Sequence, residues 1–152
     1  MEDWGSCDKW RRYEWRIGGG MTNGEFREVL EARTTKLAIG VFQLLRKLPY
    51  DVSVKIIAYQ LGKSASSIGA NYHEANRSES RDDFIHKISI ALKESNESCY
   101  WFKVLKGLFD EQADIDALSK ETVEIRNLLQ SILHSARSRR ASTSSTPPLT
   151  NS

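Results

Sequence analysis

Glu94 and Glu97 lie three residues apart, as do Asn71 and Glu74, and side chains at that spacing share one side of a helix. Paired inward carboxylates raise the question of a di-iron centre, which requires Glu-x-x-His on two helices plus two further glutamates. The chain has three histidines, His73, His86 and His134, preceded at that spacing by Ala70, Asp83 and Ser131, so the motif is missing. Asp83 and His86 alone do not make a metal site. Ser66 and Ser67 near His73 offer a nucleophile and a base, yet serines set among alanines in a helix serve close packing. There is no Gly-rich phosphate loop, zinc spacing or nucleophile elbow. The expectation is a protein without catalytic, cofactor-binding or metal-ligating residues.

What remains is a polar constellation of Asn71, Glu74, Glu94, Glu97 and Tyr100. One reading is a hydrogen-bonded network that fixes helix register, with Lys63 or Lys55 neutralising a glutamate and Ser64 or Ser67 donating to it. The other is a partner-binding surface. Antiparallel helices joined by a short turn place Asn71 and Glu74 against Asp82 to Lys87, and Glu94 and Glu97 against the stretch from Gly62 back to Lys55.

Four amphipathic helices must carry these residues. The organising one opens at Ser80, where Ser80-x-x-Asp83 forms a cap, and runs to Gly107. Phe84, Ile88, Ala91, Ser95, Ser98, Phe102 and Leu105 recur on it at steps of three and four, the period of one helix face. The middle of that face is small, which lets a neighbouring helix come close. The first helix starts at Thr22 or Asn23, with Thr22-x-x-Glu25 as a capping box, and ends near Lys47 before Pro49. Asp51 or Ser53 caps the second, which runs to about Asn76 with Gly62 and Gly69 inside it. Each glycine costs about 1 kcal/mol relative to alanine, so close packing is their expected use. The fourth begins at Asp114 or Asp116 and carries Ile115, Leu118, Thr122, Ile125, Leu129, Ile132 and Ala136 inward. The fold class is all-α, an antiparallel up-down-up-down four-helix bundle.

A chain of 152 residues with 39% hydrophobic content closes one core. The bundle occupies residues 22–137. Residues 1–21 end in a glycine run before Met21 and read as a disordered arm, an RNA-stacking arm built on Trp4, Trp10 and Trp15, or a mis-assigned start. Residues 138–152 are serine, threonine, proline and arginine and read as a disordered tail. Cys7 and Cys99 fall in different regions and suggest no disulfide, which suits a reducing cytoplasm. No apolar run approaches the roughly 20 residues that span a bilayer, so no membrane role is expected. The net charge is +2, but residues 21–136 hold 15 basic and 16 acidic residues, so any polyanion must be met by a local patch.

The run from Gln60 to Leu105 closely resembles the hallmark of the 23S rRNA intervening-sequence protein family. In that family a glutamine opens a small-residue segment ending in S-I-x-A-N-x-x-E, and a phenylalanine then leads I-A-L-x-E-x-x-E-x-x-Y-W. Here these are Gln60, Ser67-Ile68-x-Ala70-Asn71-x-x-Glu74, Phe84, and Ile90-Ala91-Leu92-x-Glu94-x-x-Glu97-x-x-Tyr100-Trp101. The resemblance covers roughly residues 25–136 and adds Gln60 and Ser67 to the polar network. The family is similar to the accessory variability determinant of diversity-generating retroelements, which looks like a pentameric barrel that binds nucleic acid and a reverse transcriptase. The resemblance therefore implies a homo-pentamer, RNA or DNA and a reverse transcriptase as partners, and no catalytic residues.

In this topology the start of the first helix, the turn between the second and third, and the end of the fourth share one end of the bundle. That end gathers Arg27, Arg77, Arg81, Lys87, Arg137, Arg139 and Arg140, diluted by Glu25, Glu28, Glu79, Asp82 and Asp83. Two functions follow as expectations. One is a non-enzymatic, oligomeric, nucleic-acid-binding scaffold using this rim. The other is a homo-oligomeric module that binds only protein, with Tyr100 and Trp101 as the subunit contact.

Overall fold

A computed structural model describes residues 21–110 and 112–144, in which four helices follow one another: α1 (Asn23–Leu45), α2 (Val52–Ala75), α3 (Arg81–Leu108) and α4 (Ala113–Ser144). Each start has a local cause. Thr22 and Glu25 form the reciprocal capping box of α1, Asp51 accepts from the Val54 amide at 2.9 Å, and Ser80 accepts from the Asp83 amide at 3.1 Å. Among the described residues there is no strand, and no helix is long and apolar enough to cross a membrane.

Consecutive helices pack together and α1 closes on α4, which makes the antiparallel bundle the sequence pattern implies. Its core is formed by Leu30, Leu37 and Val41 of α1, Leu61, Ala65 and Ile68 of α2, Ile88, Ala91 and Phe102 of α3, and Ile125 and Leu129 of α4, none more than 1% exposed. At roughly 1.5–3 kcal/mol for each large apolar side chain, this burial is the main force holding the helices together.

The glycines of α2 sit where α1 crosses closely. A Cβ on Gly62 would meet Phe42 at 3.1 Å, and one on Gly69 would meet the Thr34 hydroxyl at 3.2 Å and its Cβ at 3.3 Å. The small middle of α3 is likewise buried, with Ala91, Ser95 and Ser98 at 0% exposure.

Three expectations shift. Ile85 takes the buried place at the start of α3 and leaves Phe84 half-buried at the core's edge. Near the end of α4, Leu133 is buried while Ile132 and Ala136 are half-buried, because a straight helix drifts relative to a strict three-and-four step. Finally, α4 continues to Ser144, so residues 138–144, expected in a disordered tail, are helical. Once a long helix exists, each added residue gains a backbone hydrogen bond without a new nucleation cost, and a core contact is not needed. Residues 1–20 and 145–152 lie outside the described residues.

Candidate nucleic-acid interface and polar constellation

The constellation is present, but it is not one continuous network. Glu74 on α2 pairs with Lys87 on α3, a cross-helix link of the kind the topology implied. Asn71 turns back on its own helix and donates to the Ser67 carbonyl at 2.9 Å. Gln60 and Ser67 are half-buried on α2. Glu97 accepts from the Trp101 indole at 3.4 Å, and Tyr100 meets the Trp101 ring edge-on at 5.0 Å. Trp101 is half-buried against the edge of the core, so of the two aromatics only Tyr100, 57% exposed, stands outward.

Register differs from the simple expectation. The Glu74–Lys87 contact lies within the expected pairing, whereas Ser98 meets Ser64, more than one helical turn further along α2 than a symmetrical turn would place it. Lys63, rather than Lys55, is therefore the cation that acts on Glu94. Burial and then the neighbouring Glu97 push the Glu94 carboxyl above its ordinary value, with Lys63 and Lys93 opposing. Cys99 is buried on the α4 side of α3. Burial pushes its thiol up, while Arg126 and Lys103 pull the other way.

At the rim, the seven cations are not equivalent. Arg77 donates to Glu31 at 3.0 Å and Lys87 is taken by Glu74, so these two are largely neutralised. Arg27, Arg81, Arg137 and Arg139 are exposed, and the Arg140 side chain is not among those described. Arg27 lies close enough to Tyr72 to act on its phenol, which confirms that the start of α1 and the end of α2 share this end.

Two clusters escaped the sequence reading. Arg33 on α1 makes a bidentate pair with Glu121 on α4, at 2.7 and 2.8 Å, and also reaches Glu124 at 3.0 Å. Burial alone would lower the Arg33 guanidinium, but the two carboxylates outweigh it and hold it above its ordinary value. Glu31 accepts from Asn76 at 2.9 Å and Arg77 at 3.0 Å, with His73 at 3.5 Å. The spacing of Glu121 and Glu124 on one flank of a buried face was the available signal, but nothing local named Arg33 as their partner.

Among the described residues no three His, Cys, Asp or Glu side chains come together to hold a metal ion. An open groove of about 1230 Å³ runs along α1, lined by residues of both charges including Glu28, Glu31, Lys36, His73 and Asp114.

The molecule is thus defined as a four-helix bundle whose polar residues join helices and whose basic residues cluster locally. It belongs to the 23S rRNA-intervening sequence protein family, whose pattern matches residues 29–131. It is similar to the crystal structure of a protein of unknown function from the S23 ribosomal protein family of Bacteroides thetaiotaomicron, at 32% identity and a TM-score of 0.64, over 71% of this chain and 97% of that one. None of the curated proteins matches the chain.

Proposed function

We propose that this protein is a non-enzymatic, homo-oligomeric, nucleic-acid-binding scaffold that serves an RNA or a reverse-transcribing machinery, in the manner of the accessory variability determinant it resembles. The observation that carries the reading is the charge distribution of α4. From Arg126 to Ser144 that helix has four arginines and no carboxylate, and its last turns run on past the level at which α1 begins. Local positive charge of this kind attracts a phosphate backbone even on a nearly neutral domain. Repetition around a ring of copies, five by the resemblance, multiplies a modest patch through avidity.

The test is fluorescence anisotropy of a labelled structured RNA and a duplex DNA across a salt series. Binding that weakens steeply with salt, and falls in an R137Q/R139Q/R140Q variant, supports the scaffold. Substitution is preferable to truncation because residues 137–144 continue α4. Absence of binding at about 50 mM salt, where phosphate contacts are strong, leaves a protein-only module.

That second reading has its own support. Ile39, Phe42, Val52, Ile56 and Tyr59 are each about half or more exposed on α1 and α2, with Phe42 lying over Gly62. Exposed apolar positions in this number mark an association surface. A Tyr59→Lys variant that runs as a smaller species by light scattering would place the subunit contact there. An unchanged mass would return it to Tyr100 and Trp101 or remove the oligomer altogether.

A further inference from the structure

The two flanks of α3 differ in charge. Toward α2 stand Glu94 and Glu97, the first under the influence of Lys63 and the second bonded to Trp101. From the outer face of α3 round to its α4 side stand Lys93, Asn96, Tyr100 and Lys103, all exposed and at successive steps of three, four and three residues, with Lys93 also acting on Glu94 and Tyr100 packed edge-on against Trp101. Lys103 and Arg126 both act on the buried Cys99 thiol, which puts the α3 lysine and the α4 arginine on the same seam. Arg137 repeats the Arg126 position three turns later, and Lys120 precedes it on the outer edge.

The carboxylates of α4 are turned away from this seam or neutralised on it, as Asp116 is by Lys106 of α3. Glu121 and Glu124 turn to Arg33, Asp114 pairs with Lys47, and Asp116 pairs with Lys106. Among the described residues, none of Lys93, Lys103, Lys120, Arg126 and Arg137 is paired with a carboxylate. The rim, by contrast, loses Arg77 and Lys87 to Glu31 and Glu74. From Lys120 to Arg137 the row of cations runs roughly 25 Å at 1.5 Å per residue, enough for several consecutive phosphates. On the outer face of α3 beside this row stands Tyr100, 57% exposed, between Lys93 and Lys103 along the helix. A basic track with an outward aromatic ring is the arrangement that holds an unpaired strand, the cations taking phosphates and the ring stacking on a base.

We infer that the α3–α4 seam, rather than the helix-end rim, takes the phosphodiester backbone of an unpaired nucleic-acid strand, with Tyr100 as its stacking platform. This rests on the nucleic-acid reading above and assigns Tyr100 to the strand instead of to a subunit contact. The subunit contact then falls to the exposed apolar residues of α1 and α2.

The experiment uses the full chain and labelled oligouridine, oligothymidine and an RNA duplex over a salt series. Three variants are compared: K93Q/K103Q/K120Q, Y100A and the rim variant R27Q/R81Q. The lysines and Tyr100 are exposed, so the variants keep the helicity of the parent, checked by circular dichroism. The triple variant is expected to weaken oligonucleotide binding tenfold or more and to lower the log–log salt slope by about 2, near 0.7 per lost phosphate contact. Y100A is expected to weaken the unpaired strands roughly 5- to 100-fold and leave the duplex unchanged. The rim variant is expected to bind like the parent. A preference between oligouridine and oligothymidine separates RNA from DNA as the source of the strand. Full binding by the triple variant, with loss in the rim variant, overturns the seam while sparing the nucleic-acid reading. A parent chain that binds none of the three probes at low salt overturns both.

Discussion

Ser98 on α3 donates its hydroxyl to Ser64 on α2 at 2.8 Å, with both side chains essentially out of solvent, and Ser64 in turn donates to the Leu61 carbonyl at 3.3 Å. The pair does two things at once. It satisfies two buried hydroxyls, and it keeps the α2–α3 contact as thin as two serines. Ser98→Ala removes a donor but leaves Ser64 satisfied, so it should cost only about 0.5–1.5 kcal/mol. Ser98→Leu must force the helices apart and should cost about 1–3 kcal/mol or more. Urea midpoints that rank the two variants in the opposite order would show that the contact is not as close as described.

The Arg33 clasp gives a second measurement. Arg33→Ala leaves Glu121 and Glu124 side by side without their cation. Fully buried pairs lose about 3–5 kcal/mol when one partner goes, and partial solvation here reduces the expected loss to about 1–3 kcal/mol. Adding Glu121→Gln to Arg33→Ala should restore part of the stability, because one of the stranded charges is then gone. A double-mutant cycle with no coupling would remove the clasp from the account.

Glu31 and Glu94 should respond to pH in opposite directions. The Asn76 amide bond, more than the cost of burial, and then Arg77 and His73 hold the Glu31 carboxyl below its ordinary 4.5. Its stabilising contribution is therefore present above that value and lost as pH falls through the folded-state value. Glu31→Gln should destabilise at pH 7, by an amount that shrinks in acid. Glu94 is held above 4.5 by burial and Glu97, so its charge is tolerated at a cost that appears as pH rises. Glu94→Gln should stabilise at pH 7, and the gain should vanish below about pH 4, where the wild-type group is itself neutral. Thermal melts of both variants across pH 3–7 read the two signs directly.

Two glycines make a matched pair for alanine. At Gly107 a Cβ meets nothing within 4 Å, so Gly107→Ala should stabilise α3 by about 0.5–1 kcal/mol and raise the melting temperature by about 2–4 °C. At Gly69 the same change presses on Thr34, which is only 1% exposed and has no room to move. The overpacking should exceed the gain in helix propensity and leave a net loss of about 0.5–2 kcal/mol. A stabilised Gly69→Ala variant would mean that α1 yields there.

Much of the fold was written locally. Thr22 with Glu25, Asp51, Ser80 and Pro49 mark helix ends through bonds within one turn, and the three-and-four apolar step marks each inner face. These signals depend on near neighbours and survive being read one segment at a time. The relations that failed are long-range. Symmetry about a short turn placed Glu94 and Glu97 opposite the stretch from Gly62 back to Lys55 and left Lys63 and Lys55 both as candidate cations, whereas packing of the small residues Ser64 and Ser98 slides α3 along α2 and makes Lys63 the one that acts on Glu94. Arg33 and Glu121 are separated by 88 residues, and no property of either helix alone announces the pairing. The basic seam was hidden for the same reason, since Lys103 and Arg126 become neighbours only when α3 and α4 are docked.

That 88-residue separation also bears on how the bundle is assembled in time. Contacts between α1 and α2, α2 and α3, and α3 and α4 close across short turns and are quick to find, whereas α1 reaches α4 only after the chain has doubled back three times. The clasp is then a latch closed after the barrier rather than a seed that lowers it. Its removal is expected to quicken unfolding and leave the folding rate nearly unchanged. A chevron for Arg33→Ala in which the refolding arm moves instead would make this seam part of the nucleus.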